Sequence, residues 1–290
     1  MGWIRNFAHK LWTFLEMIKW EHSIFALPFA YLGLFLAENG WPRPRLFWLV
    51  TLAMISFRTM AMAANRLIDA AIDARNPRTQ NRALPAGRLK KTFVWFAALA
   101  SFLTFEWSAA ELGRLCLYLS PVPVIMAWFY PWAKRFTWLS HLLLGMILGV
   151  APYGAWLASR GTWSLVPFFL SVGVTTWVAG FDMIYALQDI SFDRQFGLYS
   201  FPAIFGEAAT MAVTRCLHVL SAAMWAIAGW MAGLGWIYAA GMSLIVFFLV
   251  RQHWLILSFG LKKVEEAFFT MNAIVSLVVL VAAVADLSLR

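Results

Sequence analysis

Charge is scarce in this chain. Only 13% of its 290 residues are Asp, Glu, Lys or Arg, while 62% are hydrophobic. A soluble globular domain carries roughly 25% charged and 45–50% apolar residues. A soluble protein of this size could not bury so much apolar surface, because its outside must face water. Cysteine is nearly absent too. Cys116 and Cys216 are the only two, both within apolar stretches and expected to be buried as small hydrophobes, so no disulfide framework and no metal-type Cys spacing is expected. A Lys/Arg-rich soluble domain is also missing. The net charge of +9 therefore points to anionic lipid and an inside-positive bias rather than to nucleic acid.

What is present suits a bilayer. About 20 mainly apolar residues are needed per helical crossing, and Trp, which favours the headgroup level, occurs 17 times. Apolar runs predict spans at 23–37, 46–64, 92–110, 113–130, 138–158, 163–181, 208–231, 233–250 and 267–286. The first run reads as one span among many rather than as a cleavable signal peptide. The expectation is an all-α integral membrane protein of about nine transmembrane helices in a single membrane domain covering 1–290. Residues 1–20 are expected to form an amphipathic surface helix, with Trp3, Phe7, Leu11, Phe14 and Ile18 at helical spacing.

The 23 Lys and Arg residues orient the chain. With the N-terminus in the cytoplasm, 17 of them fall on cytoplasmic segments and five outside, with Arg58 inside a span. The two long polar connections, 65–91 and 182–207, then share the cytoplasmic face. Long connections in compact proteins are usually functional.

Five of the six aspartates lie in those two connections: Asp69, Asp73, Asp182, Asp189 and Asp193. Asn65, Asp69 and Asp73 follow i, i+4, i+8 spacing, hence one helical face. Asp182, Tyr185, Asp189 and Asp193, at offsets of 3, 7 and 11, also keep one face. Like charges stacked this way repel, so something positive must sit between the two columns. Carboxylate oxygens suit hard divalent cations, and Mg²⁺ characteristically takes one or two carboxylates plus substrate phosphates. His and Cys ligands are lacking in both columns, which argues against zinc. Neighbouring basic residues, among them Arg66, Arg75, Arg78, Arg82 and Arg88, match a phosphorylated substrate. Arg58 is costly within a span. Either it snorkels or pairs with Asn65 and Asp69, or it holds an anion in the cavity, such as the carboxylate of an aromatic acid.

The motifs Asn65-x3-Asp69-x3-Asp73 with Arg78-Thr79-x2-Arg82-x-Leu84-Pro85-x-Gly87, Tyr130-Pro131-x2-Lys134-Arg135, and Asp182-x2-Tyr185-Ala186-x2-Asp189-x3-Asp193 resemble the UbiA-type aromatic prenyltransferase family. The resemblance covers nearly the whole chain, including Glu21-His22-Ser23 and Ala26-Leu27-Pro28-Phe29; His22 is given no functional role, a structural one being preferred. The wording Tyr185-Ala186-Leu187-Gln188-Asp189 is less acidic than the second motif of 4-hydroxybenzoate octaprenyltransferases. It is similar to a sister branch that includes enzymes of the futalosine route to menaquinone.

The resemblance implies helices around a central cavity with a cytoplasmic cap, in a bacterial-type inner membrane. It implies Mg²⁺-dependent transfer of a polyprenyl group from its diphosphate to 4-hydroxybenzoate or to 1,4-dihydroxy-6-naphthoate, in ubiquinone or menaquinone biosynthesis. Asp69, Asp73, Asp189 and Asp193 would be the catalytic acids, holding the metal together with Asn65. Arg78, Arg82, Lys134 and Arg135 would contact the diphosphate. Arg58, Tyr185 and Asp182 would meet the acceptor. The competing readings are a membrane transporter and a non-catalytic prenyl-lipid binder.

Overall fold

A computed structural model describes residues 2–289, apart from the side chains of 2–7, 22 and 24. The described residues are helical, with no strand among them. Helix α1 (Gly2–Met17) leads through a tight turn at Trp20–His22 into α2 (Ser23–Glu38) and α3 (Pro44–Asp73). Then come α4 (Lys91–Leu112), the short α5 (Arg114–Leu119), α6 (Pro121–Ala133), α7 (Ser140–Arg160) and α8 (Leu165–Ala186). A 3-10 turn at Leu187–Asp189 connects α8 to α9 (Ile190–Gln195), followed by α10 (Phe201–Met231), α11 (Trp236–Phe259) and α12 (Met271–Ser288).

Among the described residues, eight helical segments are long and apolar enough to cross a membrane, with α5 and α6 forming one of them. The chain is thus an integral multi-pass membrane protein. The apolar helix at Phe25–Glu38 is shorter, coincides with the first expected span and carries Pro28.

Local sequence sets the helix ends. Proline opens α3, α6 and α10, where its missing N–H costs nothing. The Ser164 side chain accepts from the Val166 N–H at 3.3 Å and caps α8. The sixth aspartate has a structural task. Asp286 accepts from the Gly235 N–H at 2.9 Å and the Tyr238 N–H at 3.1 Å, satisfying donors at the start of α11 inside an apolar bundle.

Packing places α7 and α10 against α8, and α2 against α7 and α12. Two glycines permit close backbone approaches. A Cβ on Gly33 would strike the Pro152 carbonyl, and one on Gly145 the Thr175 carbonyl. Small residues at such crossings let membrane helices meet backbone to backbone. The core is aromatic. Phe29 lies 5.1 Å from both Trp177 and Trp225, and all three are fully buried.

Three sequence expectations change. Residues 65–91 and 182–207 are not loops throughout: α3 carries the first motif to Asp73, α8 carries the second to Ala186, and α10 begins at Phe201. Helix α1 is docked on the protein. Phe14, Met17 and Ile18 are buried with Ala63, Ala83, Leu89, Val94 and Ala98, whereas Leu11 and Trp12 stay exposed. Its Trp3 and Phe7 side chains lie outside the described residues. Cys216 is exposed on α10 rather than buried.

Candidate active site

A cavity of about 1300 Å³ runs down the bundle. Drug-sized pockets measure roughly 300–1,000 Å³, so this one exceeds what a compact ligand needs. Its deeper wall is apolar, built from residues such as Val50, Phe57, Leu112, Val122, Ile147 and Val172. Its mouth is polar, and both aspartate columns line it.

The first column stands on the last turns of α3. Asp69 and Asp73 are 4% and 6% exposed. Each carboxylate is held by two cations. Asp69 meets Arg135 at 3.3 Å and Lys134 at 3.8 Å. Asp73 accepts from Arg82 at 2.8 Å through both oxygens and faces Arg66 at 3.9 Å. Asn65 donates to Asp69 at 3.4 Å, while its own oxygen accepts from Arg66 at 3.2 Å. Arg135 also lies over the Trp132 ring, 4.1 Å from its centroid.

The second column does not keep to one helix. The 3-10 turn after Ala186 redirects it, so its three acids face different surroundings. Asp182, on α8, meets His141 Nδ1 at 2.7 Å. Asp189 is gripped by Arg78, whose Nε donates at 3.0 Å and whose Nη2 donates to the other oxygen. Asn76 adds a third donor to Asp189 at 3.1 Å. Asp193, 5% exposed, lies on α9 and makes no ion pair among the described residues. Burial alone would lower the pKa of Arg78. The hydrogen bond to Asp189 and that residue's charge outweigh burial, and the guanidinium pKa rises above the usual arginine value. Arg78 therefore stays charged at any working pH.

The predicted residues converge. Every one of the predicted site residues apart from Arg135 lines the cavity, and Arg135 joins it through Asp69. Two of them make further contacts within the protein. Arg58 does not pair with Asn65 or Asp69: its Nη2 donates to the carbonyls of Lys19 at 2.6 Å and Ile18 at 3.3 Å, fastening the end of α1 to the cavity wall. Tyr185 sits beneath Arg78, 5.4 Å from the guanidinium, and packs on Phe268 at 4.4 Å. Arg88 is turned to the Asn81 carbonyl at 2.7 Å, and Arg75 is exposed. The His22 side chain lies outside the described residues.

Sequence reasoning missed Asn76 and His141. The Asn76-Pro77 pair carried a turn signal, but nothing local told that the turn folds back onto Asp189. His141 has no motif around it at all.

The chemistry of the donors bears on which ion could bind. Among the described residues, no three His, Cys, Asp or Glu side chains gather as a ready-made metal cage. The donors at the mouth are oxygens in separate pairs. That suits a hard ion completing its shell with substrate phosphate oxygens, the usual habit of Mg²⁺.

Known proteins share this fold and much of this sequence. The chain is 31% identical over 250 residues to a 4-hydroxybenzoate octaprenyltransferase of Marinomonas sp., covering 84% of this chain and 87% of that one. The apo structure of a UbiA homolog from Aeropyrum pernix K1 superposes with a TM-score of 0.84 at 33% identity, covering 92% of this chain and 98% of that one. A UbiA homolog from Archaeoglobus fulgidus bound to GPP and Mg²⁺ has the same fold, with a TM-score of 0.73 at 19% identity over 95% and 99% of the two chains. The UbiA prenyltransferase family model matches residues 26–274. With its bundle, cavity and paired acidic motifs, the chain belongs to the UbiA prenyltransferase family and is a membrane polyprenyltransferase.

Proposed function

We propose that this enzyme transfers a polyprenyl group from polyprenyl diphosphate to the ring of an aromatic hydroxy acid of the 4-hydroxybenzoate type, in quinone biosynthesis. The observation that carries the reading is the pairing of a deep apolar cavity with a mouth of carboxylates, of which Asp69, Asp73 and Asp189 are already matched to arginine or lysine. The named relative from Marinomonas sp. supports the acceptor class.

Asn65, Asp69, Asp73, Asp189 and Asp193 would hold Mg²⁺, which when bound withdraws charge from the leaving diphosphate as a Lewis acid. Arg78, Arg82, Lys134 and Arg135 now neutralise Asp69, Asp73 and Asp189. With the donor bound, they transfer their hydrogen bonds to its phosphate oxygens. The cations are thus kept in place without an empty-state penalty, since an unpaired buried charge is expensive. As the allylic C–O bond breaks, the same cations stabilise the charge gathering on the diphosphate. The apolar walls keep water from capturing the carbocation. Arg58, braced on the α1 carbonyls, retains donors for the acceptor carboxylate. The Tyr185 ring packs beside Arg78 at the donor end and closes that wall.

The lysine and arginine asymmetry supports a cytoplasmic mouth and N-terminus in a bacterial inner membrane. A single membrane unit covering 1–290 accounts for both motifs.

The test is a membrane assay with radiolabelled geranyl diphosphate, with Mg²⁺ supplied or chelated. It offers 4-hydroxybenzoate and 1,4-dihydroxy-6-naphthoate separately. Mg²⁺-dependent product from 4-hydroxybenzoate is expected. Product from the naphthoate alone would move the enzyme to the futalosine route. No product from either, in membranes that bind the donor, would overturn the acceptor class.

A further inference from the structure

One glycine in the cavity wall has no packing reason to be there. Gly154 lies inside α7, away from both of its ends. Glycine within a helix costs stability relative to alanine, so its presence calls for an explanation. Elsewhere in the bundle the explanation is close packing. Seven other glycines inside helices, among them Gly149, Gly173 and Gly241, would each drive a Cβ into a neighbouring helix. Gly206, inside α10, has a φ of 81°, a conformation that favours glycine. Neither reason applies to Gly154. Its backbone is ordinary helix, and a Cβ built on it meets nothing within 4 Å. The residue lines the cavity, and the space in front of it is the cavity's own.

The position along the cavity gives that space a use. Helix α7 begins at the mouth, where His141 meets Asp182 at 2.7 Å. Gly154 comes thirteen residues after His141, about 20 Å at the helical rise. On α8, Phe168 lines the cavity fourteen residues before Asp182, about 21 Å by the same rise, so two walls agree on the length. The lining between is apolar, with Leu144, Ile147 and Val150 on α7 and Val172 and Val178 on α8. An extended carbon chain advances about 1.2 Å per bond, as the protein backbone does. An isoprene unit adds four main-chain bonds, hence about 5 Å. A tail of two units therefore ends near half depth, at about 10 Å, whereas a tail of four units, at about 20 Å, reaches Gly154.

We propose that Gly154 is a specificity-determining residue for the donor: its missing side chain keeps the far end of the cavity open to tails of four or more isoprene units. This rests on the reading that the cavity takes polyprenyl diphosphate. Shorter tails end before Gly154, and longer ones must pass it. A side chain placed there fills the channel without striking the protein, since nothing lies within 4 Å of its Cβ. It acts on the tail and leaves the fold alone.

The full-length protein in membranes is loaded with radiolabelled geranyl diphosphate and Mg²⁺. Unlabelled diphosphates with tails of two, three, four and six isoprene units then compete for the site, and thermal unfolding is followed in parallel. Gly154→Ala and Gly154→Leu are compared with the unaltered protein, which is expected to bind all four lengths. Both variants should unfold at the wild-type temperature or above, because each gives the helix a better former. Gly154→Leu should bind the two- and three-unit diphosphates like wild type. It should bind the four- and six-unit ones roughly 10–100-fold more weakly, the range that overfilling a site produces. Gly154→Ala should follow the same order with a smaller loss. A Gly154→Leu protein that keeps its affinity for long tails, or that weakens short and long tails alike, would overturn the role of Gly154, as would a wild type that rejects the long tails. Early unfolding of Gly154→Ala would contradict the open space in front of the residue. A wild-type protein that binds no geranyl diphosphate at all would overturn the donor reading itself.

Discussion

The two acidic columns share a composition and differ in build. The first stays on one continuous helix, and each of its two aspartates carries two cations. The second is broken by a 3-10 turn, and two of its three aspartates face an imidazole and an arginine, with the third, Asp193, buried on α9 without an ion pair among the described residues. A straight helix delivers charges in register, so all of its acids meet the same surroundings. A broken one aims each acid separately. The first column is suited to a single task, holding charge at the mouth. The second divides its partners, with Asp182 on α8, Asp189 in the turn and Asp193 on α9.

Four measurements break or sharpen that contrast. The largest effect belongs to Asp69→Asn and Asp189→Asn. Each removes one charge without changing size, and each should cut turnover on the order of 10²–10³-fold, as when one preorganised electrostatic partner of a transition state is lost. Unchanged elution and thermal unfolding would show that the fold persists; near-normal turnover in either would remove that column from the site. Next comes Arg78→Ala. It deletes the main clamp on Asp189 and a proposed phosphate donor, and should raise donor KM roughly 10–100-fold, from about 1.5–3 kcal/mol per charged hydrogen bond. Arg82→Ala should cost less, because Arg66 still faces Asp73 at 3.9 Å. An Arg82 effect larger than that of Arg78 would reverse the proposed difference in redundancy. Smallest is Arg58→Ala, expected to weaken carboxylated acceptors several-fold more than the corresponding phenols, the surface-level worth of one ion pair being about 0–1 kcal/mol. Equal losses would leave Arg58 with only its role as an anchor for the end of α1.

The contrast also marks what could be read from the sequence. Hydrophobic runs located the helices, because spans must be long and apolar whatever they pack against. Helical spacing placed Asn65, Asp69 and Asp73 on one face, and that column held because α3 continues unbroken through it. The same reasoning assumed a continuous helix through Asp182–Asp193. The 3-10 turn at Leu187–Asp189 comes from tertiary contacts that periodicity does not record. The amphipathic pattern of residues 1–20 fitted a lipid surface equally well as a protein groove, and only the buried side of Phe14, Met17 and Ile18 decides between them. Partners distant in sequence were invisible. His141 lies 41 residues from Asp182, and Asn76 lies 113 from Asp189.

The central claim is that both columns grip one metal-bound diphosphate. The most direct measurement is the Mg²⁺-dependent affinity for geranyl diphosphate in wild type, Asp69→Asn, Asp189→Asn and the double variant. If the columns act as a unit, the double variant binds about as weakly as the weaker single, since interacting sites are not additive. If the two losses add in full, the columns act independently, and the shared site is contradicted.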